Sequence, residues 1–437
     1  MWLKRLQLAL IHMAVAITLL PINSTLNRVM IRELEISATV VAIFVSLPYL
    51  FSPIQMAIGS YADRHPILGR RRMPYIALGL VLCIGGAMLA PLAAFTLAEG
   101  GLLGFLFSLL AFGAWGMGFN FATVSYFSLA SELWDEKGRT RTISVMFFLM
   151  IVSIIVMAVA VSRMVTPYTP EALQRAFWMV GGVATVLGVL GLIGLEKPFV
   201  AEGSVTPKRY SWGEMVRAAA GNRQARLFFI YLILLLAAIL GQDVLLEPFA
   251  GEAFDMPVQT TTRITSIWGL CVLAALIAAG FLQTSFGKRG VAHLGGIGAL
   301  SGFILIAVSG VLRQSGIFYA GVVLLGTGTG LATVSNLSLM LDMTAVGNVG
   351  LFMGAWGVAD ALSRLAGSVM GGAVRDVITR FAANSVAGYV AVFGIEAAML
   401  GASLVLLRWI DSRAFQQSVE RTTTLAERAA LMGEMQG

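Results

Sequence analysis

Few side chains in this sequence can do chemistry, and most of them fall inside apolar stretches. His12, Ala16, Leu19, Asn23 and Asn27 recur at three- and four-residue spacing, which places them on one stripe of a helix, with Pro21 interrupting the backbone ladder between them. Such a stripe predicts a polar face turned toward a central cavity. Asp360 and Arg364 stand at i and i+4, close enough to neutralise each other on one helix face, and Asp243 and Glu247 repeat that spacing. A charged group in the middle of a bilayer costs on the order of 3 kcal/mol unless it is paired or hydrated, so each of these is a candidate functional residue. Arg28 is the cation at the end of the first apolar run. The two cysteines, Cys83 and Cys271, lie in separate apolar runs and predict neither a disulfide nor a metal site.

The elements that must position these residues are membrane helices. Of 437 residues, 58% are hydrophobic and 12% charged, with a mean hydropathy of +0.84, which excludes an ordinary soluble protein. A spanning helix needs about 20 mainly apolar residues. Runs of that kind lie near 6–30, 36–60, 74–97, 102–131, 141–165, 175–195, 227–248, 259–284, 291–312, 317–341, 350–373 and 386–408. The expected fold is therefore an all-α membrane protein of twelve transmembrane helices in two six-helix halves. Most of the 30 lysines and arginines fall on one side of this topology, in the loops holding Lys4, Arg70, Arg139, Lys208, Lys288 and Arg413. The positive-inside rule makes that side cytoplasmic, with both termini on it, in a bacterial inner membrane. The net charge of +7 follows from topology and implies no nucleic-acid partner.

An internal repeat supports the division into halves. Ala122-Thr123-Val124-Ser125 with Ser128-Leu129 recurs as Ala332-Thr333-Val334-Ser335 with Ser338-Leu339, and Glu132 is answered by Asp342. The organisation is then an N-terminal half over 1–195, a cytoplasmic linker over 196–226, a C-terminal half over 227–408 and a cytoplasmic tail over 409–437. In the linker, Ser211 and Glu214 form a capping-box pattern before an amphipathic stretch, which predicts a helix on the membrane face. Gly350/Gly354 and Gly367/Gly371 mark the eleventh span as closely packed.

Two resemblances sharpen this reading. Gly59, Asp63, Arg64, Gly69, Arg70 and Arg71 resemble the loop signature of the major facilitator superfamily, with three extra residues before Gly69. The resemblance implies that fold, a latch between the halves on the cytoplasmic side, and spans one and seven facing each other across the cavity, so that Arg28 can meet Asp243 or Glu247 as an outer gate that forms or breaks as the halves rock. Thr25-Leu26-Asn27-Arg28-Val29-Met30-Ile31 with Glu33-Leu34, Gln242-Asp243-Val244-Leu245-Leu246-Glu247-Pro248-Phe249 with Gly251-Glu252, and Asp63-Arg64-His65-Pro66 together resemble the PucC family of that superfamily. This likeness covers the whole chain. It implies a photosynthetic membrane protein that handles or delivers (bacterio)chlorophyll for light-harvesting complex assembly, with antenna polypeptides, pigment and membrane lipid as partners. Of His12, His65 and His293, only His12 lies well inside a span, as a pigment magnesium ligand or as a group hydrogen-bonded within the bundle.

Neither a phosphate-binding loop, a zinc-protease helix, a nucleophile elbow nor a Cys/His metal spacing occurs, so no enzyme, catalytic cofactor or metal site is expected. Two other functions compete with pigment delivery. One is a gradient-driven secondary transporter of a small amphipathic solute using Asp360, Glu396, Asp243 and Glu247; the other is a scaffold that binds antenna helices and moves nothing.

Overall fold

The computed structural model describes residues 2–134, 136–196, 213, 217, 221–343, 349–412 and 414–416. Among them nine helices are long and apolar enough to cross a membrane. Their outward surface is apolar as well: Leu103, Val81, Leu110, Phe281 and Val311 are all largely exposed, as lipid rather than water would allow.

The helices are α1 (Trp2–Pro21), α2 (Ala38–Val45), α3 (Leu47–Leu50), α4 (Ile54–Arg64), α5 (Met73–Ala98), α6 (Gly101–Leu133), α7 (Glu136–Met164) and α8 (Pro170–Leu192), followed by α9 (Arg223–Gly241), α10 (Leu246–Phe254), α11 (Val258–Leu312), α12 (Ser315–Asp342), α13 (Val349–Ala382) and α14 (Ser385–Trp409). Several run differently from the sequence expectation. Past Pro21, α1 continues as two wide turns over Ile22–Leu26 and Val29–Glu33, because proline cannot supply the ladder N–H. The predicted span 36–60 is divided into α2, α3 and α4 around Pro48 and Pro53. The span 227–248 breaks at a tight turn over Gln242–Val244. The spans 259–284 and 291–312 appear as one helical run, bent at Gly287, whose φ of 67° only glycine adopts without strain. The linker pattern at Ser211 and Glu214 lies outside the described residues, as does the tail beyond 416.

The internal repeat is visible as packing. A methyl group on Gly79 would collide with the Ala122 nitrogen, and one on Gly118 with the Cys83 nitrogen, so α5 and α6 touch backbone to backbone. In the other half, a methyl group on Gly295 would fall 2.6 Å from the Ala332 nitrogen, and one on Gly328 would collide with the Ala299 nitrogen. Small residues permit such crossings, where dispersion and weak backbone contacts replace a hydrophobic drive. The charged ends repeat too. Arg72 donates to Glu132 at the foot of α6, and Lys288 donates to Asp342 at the foot of α12.

These pairs define a basic end of the bundle. At the opposite end, here called the far end, the two halves are joined by polar contacts. Asp376 of α13, beyond the expected span 350–373, accepts from the backbone nitrogens of Ala38 and Thr39 and from the hydroxyls of Ser37 and Thr39, and so caps α2 from the other half. Arg375 bonds both Asp376 and Glu252, and Tyr389 donates to the same Glu252. Burial alone would raise the Asp376 carboxyl, but the bonds from Ser37, Thr39 and Arg375 outweigh it and hold it below the ordinary range.

Candidate functional site

Between the halves lies a cavity of about 570 Å³, within the range typical of small-molecule sites. Its N-terminal wall comes from α1 and its wide-turn extension, the broken second span, α6 and α7, including His12, Asn23, Tyr49, Gln55, Tyr126 and Phe147. Its C-terminal wall comes from the break after α9 and from α11 and α13, including Gln242, Asp243, Glu247, Trp268, Asp360 and Arg364. Helix breaks turn Asn23, Gln242 and Asp243 toward the cavity, whereas His12, Asp360 and Arg364 reach it from unbroken stretches of α1 and α13.

The stripe predicted on α1 faces this cavity from His12 to Asn23. His12 is buried, its Nδ1 lies 2.7 Å from the Tyr126 hydroxyl, and Phe127 and Phe147 stand edge-on to its ring. Its Nε2 has no hydrogen-bond partner among the described residues, and neither have Asn23 Oδ1, Gln242 Oε1 and Trp268 Nε1. Unpaired buried polar atoms are costly, and these four share one cavity, where a bound polar group could satisfy them. Asn27 departs from the stripe: it donates to the Val244 carbonyl at 2.5 Å and ties α1 to the break after α9.

Asp360 and Arg364 pair as expected, at 3.1 Å. Arg364 also stacks on Tyr49 of the opposite half, with the guanidinium 5.2 Å from the ring centre. The expected outer gate is arranged differently. Arg28 bonds Glu33, five residues along its own chain, at 2.7 Å and the Met256 carbonyl at 2.8 Å. Asp243 is held by Gln242, and Glu247 by Thr265. The wide turn over Val29–Glu33 brings Glu33 back under Arg28, a geometry that regular helix spacing does not anticipate. Arg28 therefore joins the halves through a backbone carbonyl, and Asp243 and Glu247 belong to the cavity. The stronger far-end clasp, built on Asp376, was not among the sequence candidates. The one clue was Ser37-Ala38-Thr39, a capping sequence with no cap of its own.

The loop signature is anchored within the N-terminal half. Gly69 takes a φ of 69°, and Ile67 and Arg70 close a small backbone bridge around it. The backbone nitrogens of Arg71 and Arg72 donate to Glu196 after α8, while the Arg72 side chain holds Glu132. Gly59 packs against Val124 of α6, and Arg64 ends α4 in an exposed position. The Asp63 side chain lies outside the described residues.

A family model described as PUCC protein matches residues 25–415, the stretch that holds both cavity walls except the lining residues from His12 to Ser24. The chain belongs to the PucC family. Among its relatives, Protein PucC of Cereibacter sphaeroides is 30% identical over 420 residues, covering 92% of this chain and 91% of the relative. Protein PucC of Rhodovulum sulfidophilum is 31% identical, covering 86% and 85%. A protein of Rhodobacter capsulatus named bacteriochlorophyll synthase 44.5 kDa chain is 29% identical over 93% of this chain and 96% of its own. Of solved structures, a mutant form of the nucleoside transporter NupG gives a TM-score of 0.71 at 17% identity, covering 93% of this PucC-family chain and 99% of NupG. A bacterial homologue of the iron transporter ferroportin, in an inward-facing state, gives 0.67 at 13% identity, covering 93% and 98%. At these identities the likeness concerns the fold, which is that of a multi-pass transporter of the major facilitator type.

Proposed function

We propose that this PucC-family chain binds (bacterio)chlorophyll in the cavity between its halves and hands it to light-harvesting antenna polypeptides during their assembly in the photosynthetic inner membrane. The observation that carries this reading is the unpartnered Nε2 of His12 on a mainly apolar cavity. A flat macrocycle with one metal and a few carbonyls suits apolar walls with few polar anchors better than a sugar or an ion would. The cargo brings its own magnesium; His12 offers a neutral nitrogen, and Tyr126 fixes the orientation of the imidazole ring. Asn23, Gln242 and Trp268 supply an acceptor, an acceptor and a donor for the macrocycle's periphery. No catalytic role enters this reading.

With the basic end cytoplasmic, the far-end contacts close the cavity toward the outside, so cargo enters from the cytoplasm or the inner leaflet. A cysteine replacing Leu68, which is 90% exposed on the basic loop, should escape an impermeant reagent in intact cells and react after permeabilisation. Labelling in intact cells would reverse the orientation.

The gently purified protein is expected to show a chlorophyll absorption spectrum. A strain lacking the gene should keep pigment synthesis while losing most assembled antenna. Normal antenna levels together with a colourless, partner-free protein would overturn the proposal in favour of the gradient-driven solute transporter, a reading to which the carboxylates of the cavity also lend themselves.

A further inference from the structure

Glu396 is the most isolated charged group among the described residues. It lies near the middle of α14, is 1% exposed, and neither carboxyl oxygen has a hydrogen-bond partner. It is packed from α14 against the crossing of α9 and α13, which meet at Gly241 and Gly367. A methyl group on Gly241 would fall 3.0 Å from Glu396 Oε1 and 3.1 Å from the Gly367 carbonyl oxygen, and one on Gly367 would collide with the Ala237 carbonyl oxygen. Gly241 is the last residue of α9 before the tight turn over Gln242–Val244. The carboxyl group thus sits against the point where the seventh span breaks.

An unpaired carboxylate buried at such a crossing is strongly disfavoured by the desolvation of its charge, whereas the neutral acid fits. The charged neighbours are few. Asp243, in the turn after α9, is the group with which Glu396 interacts electrostatically, and it repels a second negative charge. From α13, Asp360 and Arg364 are paired with each other and face the cavity. Toward the far end, Glu252 of α10 is held by Arg375 and by Tyr389 of α14. From α11 the facing group is apolar, Phe303 against Phe393.

We propose that Glu396 is a proton-binding site in the C-terminal half, loaded through the cavity and tied to the break after α9. Asp243 lines the cavity and is the charged group that Glu396 senses, so the turn after α9 is the side from which a proton reaches it. In loading, an O–H bond of a hydronium ion in the cavity water breaks as one forms on Glu396, and a water molecule is left behind. Loaded, Glu396 lets α14 pack against the Gly241–Gly367 crossing of α9 and α13. Unloaded, its charge demands water or a cation, and the crossing opens. The site makes movement of the halves proton-linked. It rests on the C-terminal half alone and holds whatever cargo the cavity takes.

The full-length protein in lipid nanodiscs, followed by infrared difference spectroscopy across roughly pH 5 to 9, tests this. The wild type should show a protonated-carboxyl band that Glu396→Gln removes and that declines as pH rises. In parallel, spin labels at Leu68→Cys and Thr284→Cys, on opposite halves at the basic end, with Cys83 and Cys271 replaced by alanine, report the distance between halves. That distance should change with pH in the wild type and stay fixed in Glu396→Gln at the wild type's low-pH value, since glutamine imitates the neutral acid and preserves the packing. A band absent from the wild type, or unaffected by Glu396→Gln, would overturn the assignment. A band that persists at every pH with an unchanging distance would also overturn it, by making Glu396 a static neutral group.

Discussion

At the scale of single residues, a side chain's partner matters more than its type. His12 is held through Nδ1 by Tyr126, which leaves Nε2 without a partner. Tyr126→Phe removes that hold without opening a large space, and on the pigment reading it should lower pigment retained on purification about tenfold, as loss of a ligand-orienting hydrogen bond does. His12→Ala should lower it further; an unchanged pigment content in both would remove His12 from the site. Arg28 offers a second case. Because it bonds Glu33 and the Met256 carbonyl, Arg28→Ala should cost about 3 kcal/mol by stripping a buried contact. Combined with Asp243→Ala the losses should add within about 0.5 kcal/mol, whereas combination with Glu33→Ala should be strongly non-additive. Thermal unfolding of the single and double variants in detergent measures both.

At the scale of elements, the glycine crossings set how closely the helices approach. Gly118→Ala would drive a methyl group into the Cys83 backbone and Gly328→Ala would do the same at Ala299, because in each case the obstacle is main chain that cannot rotate away. Each should destabilise by about 2 kcal/mol or more through overpacking. Gly85→Ala, on α5 beside the first crossing, meets nothing within 4 Å and should be neutral or slightly stabilising. Equal effects of Gly85→Ala and Gly118→Ala on the melting temperature would refute this account of α5 and α6. The corresponding behaviour of Gly118 and Gly328 is the energetic counterpart of the sequence repeat.

At the scale of the whole molecule, the far end holds the halves together through Asp376, which serves two partners at once, the N-terminus of α2 and Arg375. Asp376→Asn keeps the shape but removes the charge that α2 and Arg375 favour, and labels at the far end should show the halves separating more readily. The pH dependence has a definite sign. A carboxyl held below its ordinary value in the folded state stabilises above the unfolded value and loses that stabilisation as pH falls through the folded one. The clasp should therefore persist through neutral and mildly acidic conditions and loosen only in strong acid. Far-end label distances that move in mild acid would contradict this.

The sequence by itself determined the membrane class, the repeated halves and the family, because apolar run length, basic-loop bias and local motifs are read within short windows of chain. It also identified His12, Asn23, Asp243, Glu247, Asp360 and Arg364, since a polar residue inside an apolar run is conspicuous whatever it touches. Apart from the Asp360–Arg364 pair on one helix face, pairing was decided only by the tertiary structure. Arg28 turned to Glu33, Asn27 to the Val244 carbonyl and Asp376 to α2, because wide turns and helix breaks move side chains by angles that regular spacing does not encode. The isolation of Glu396 was equally invisible in the sequence, for a partner's absence is a property of three helices packed together and of none of them alone.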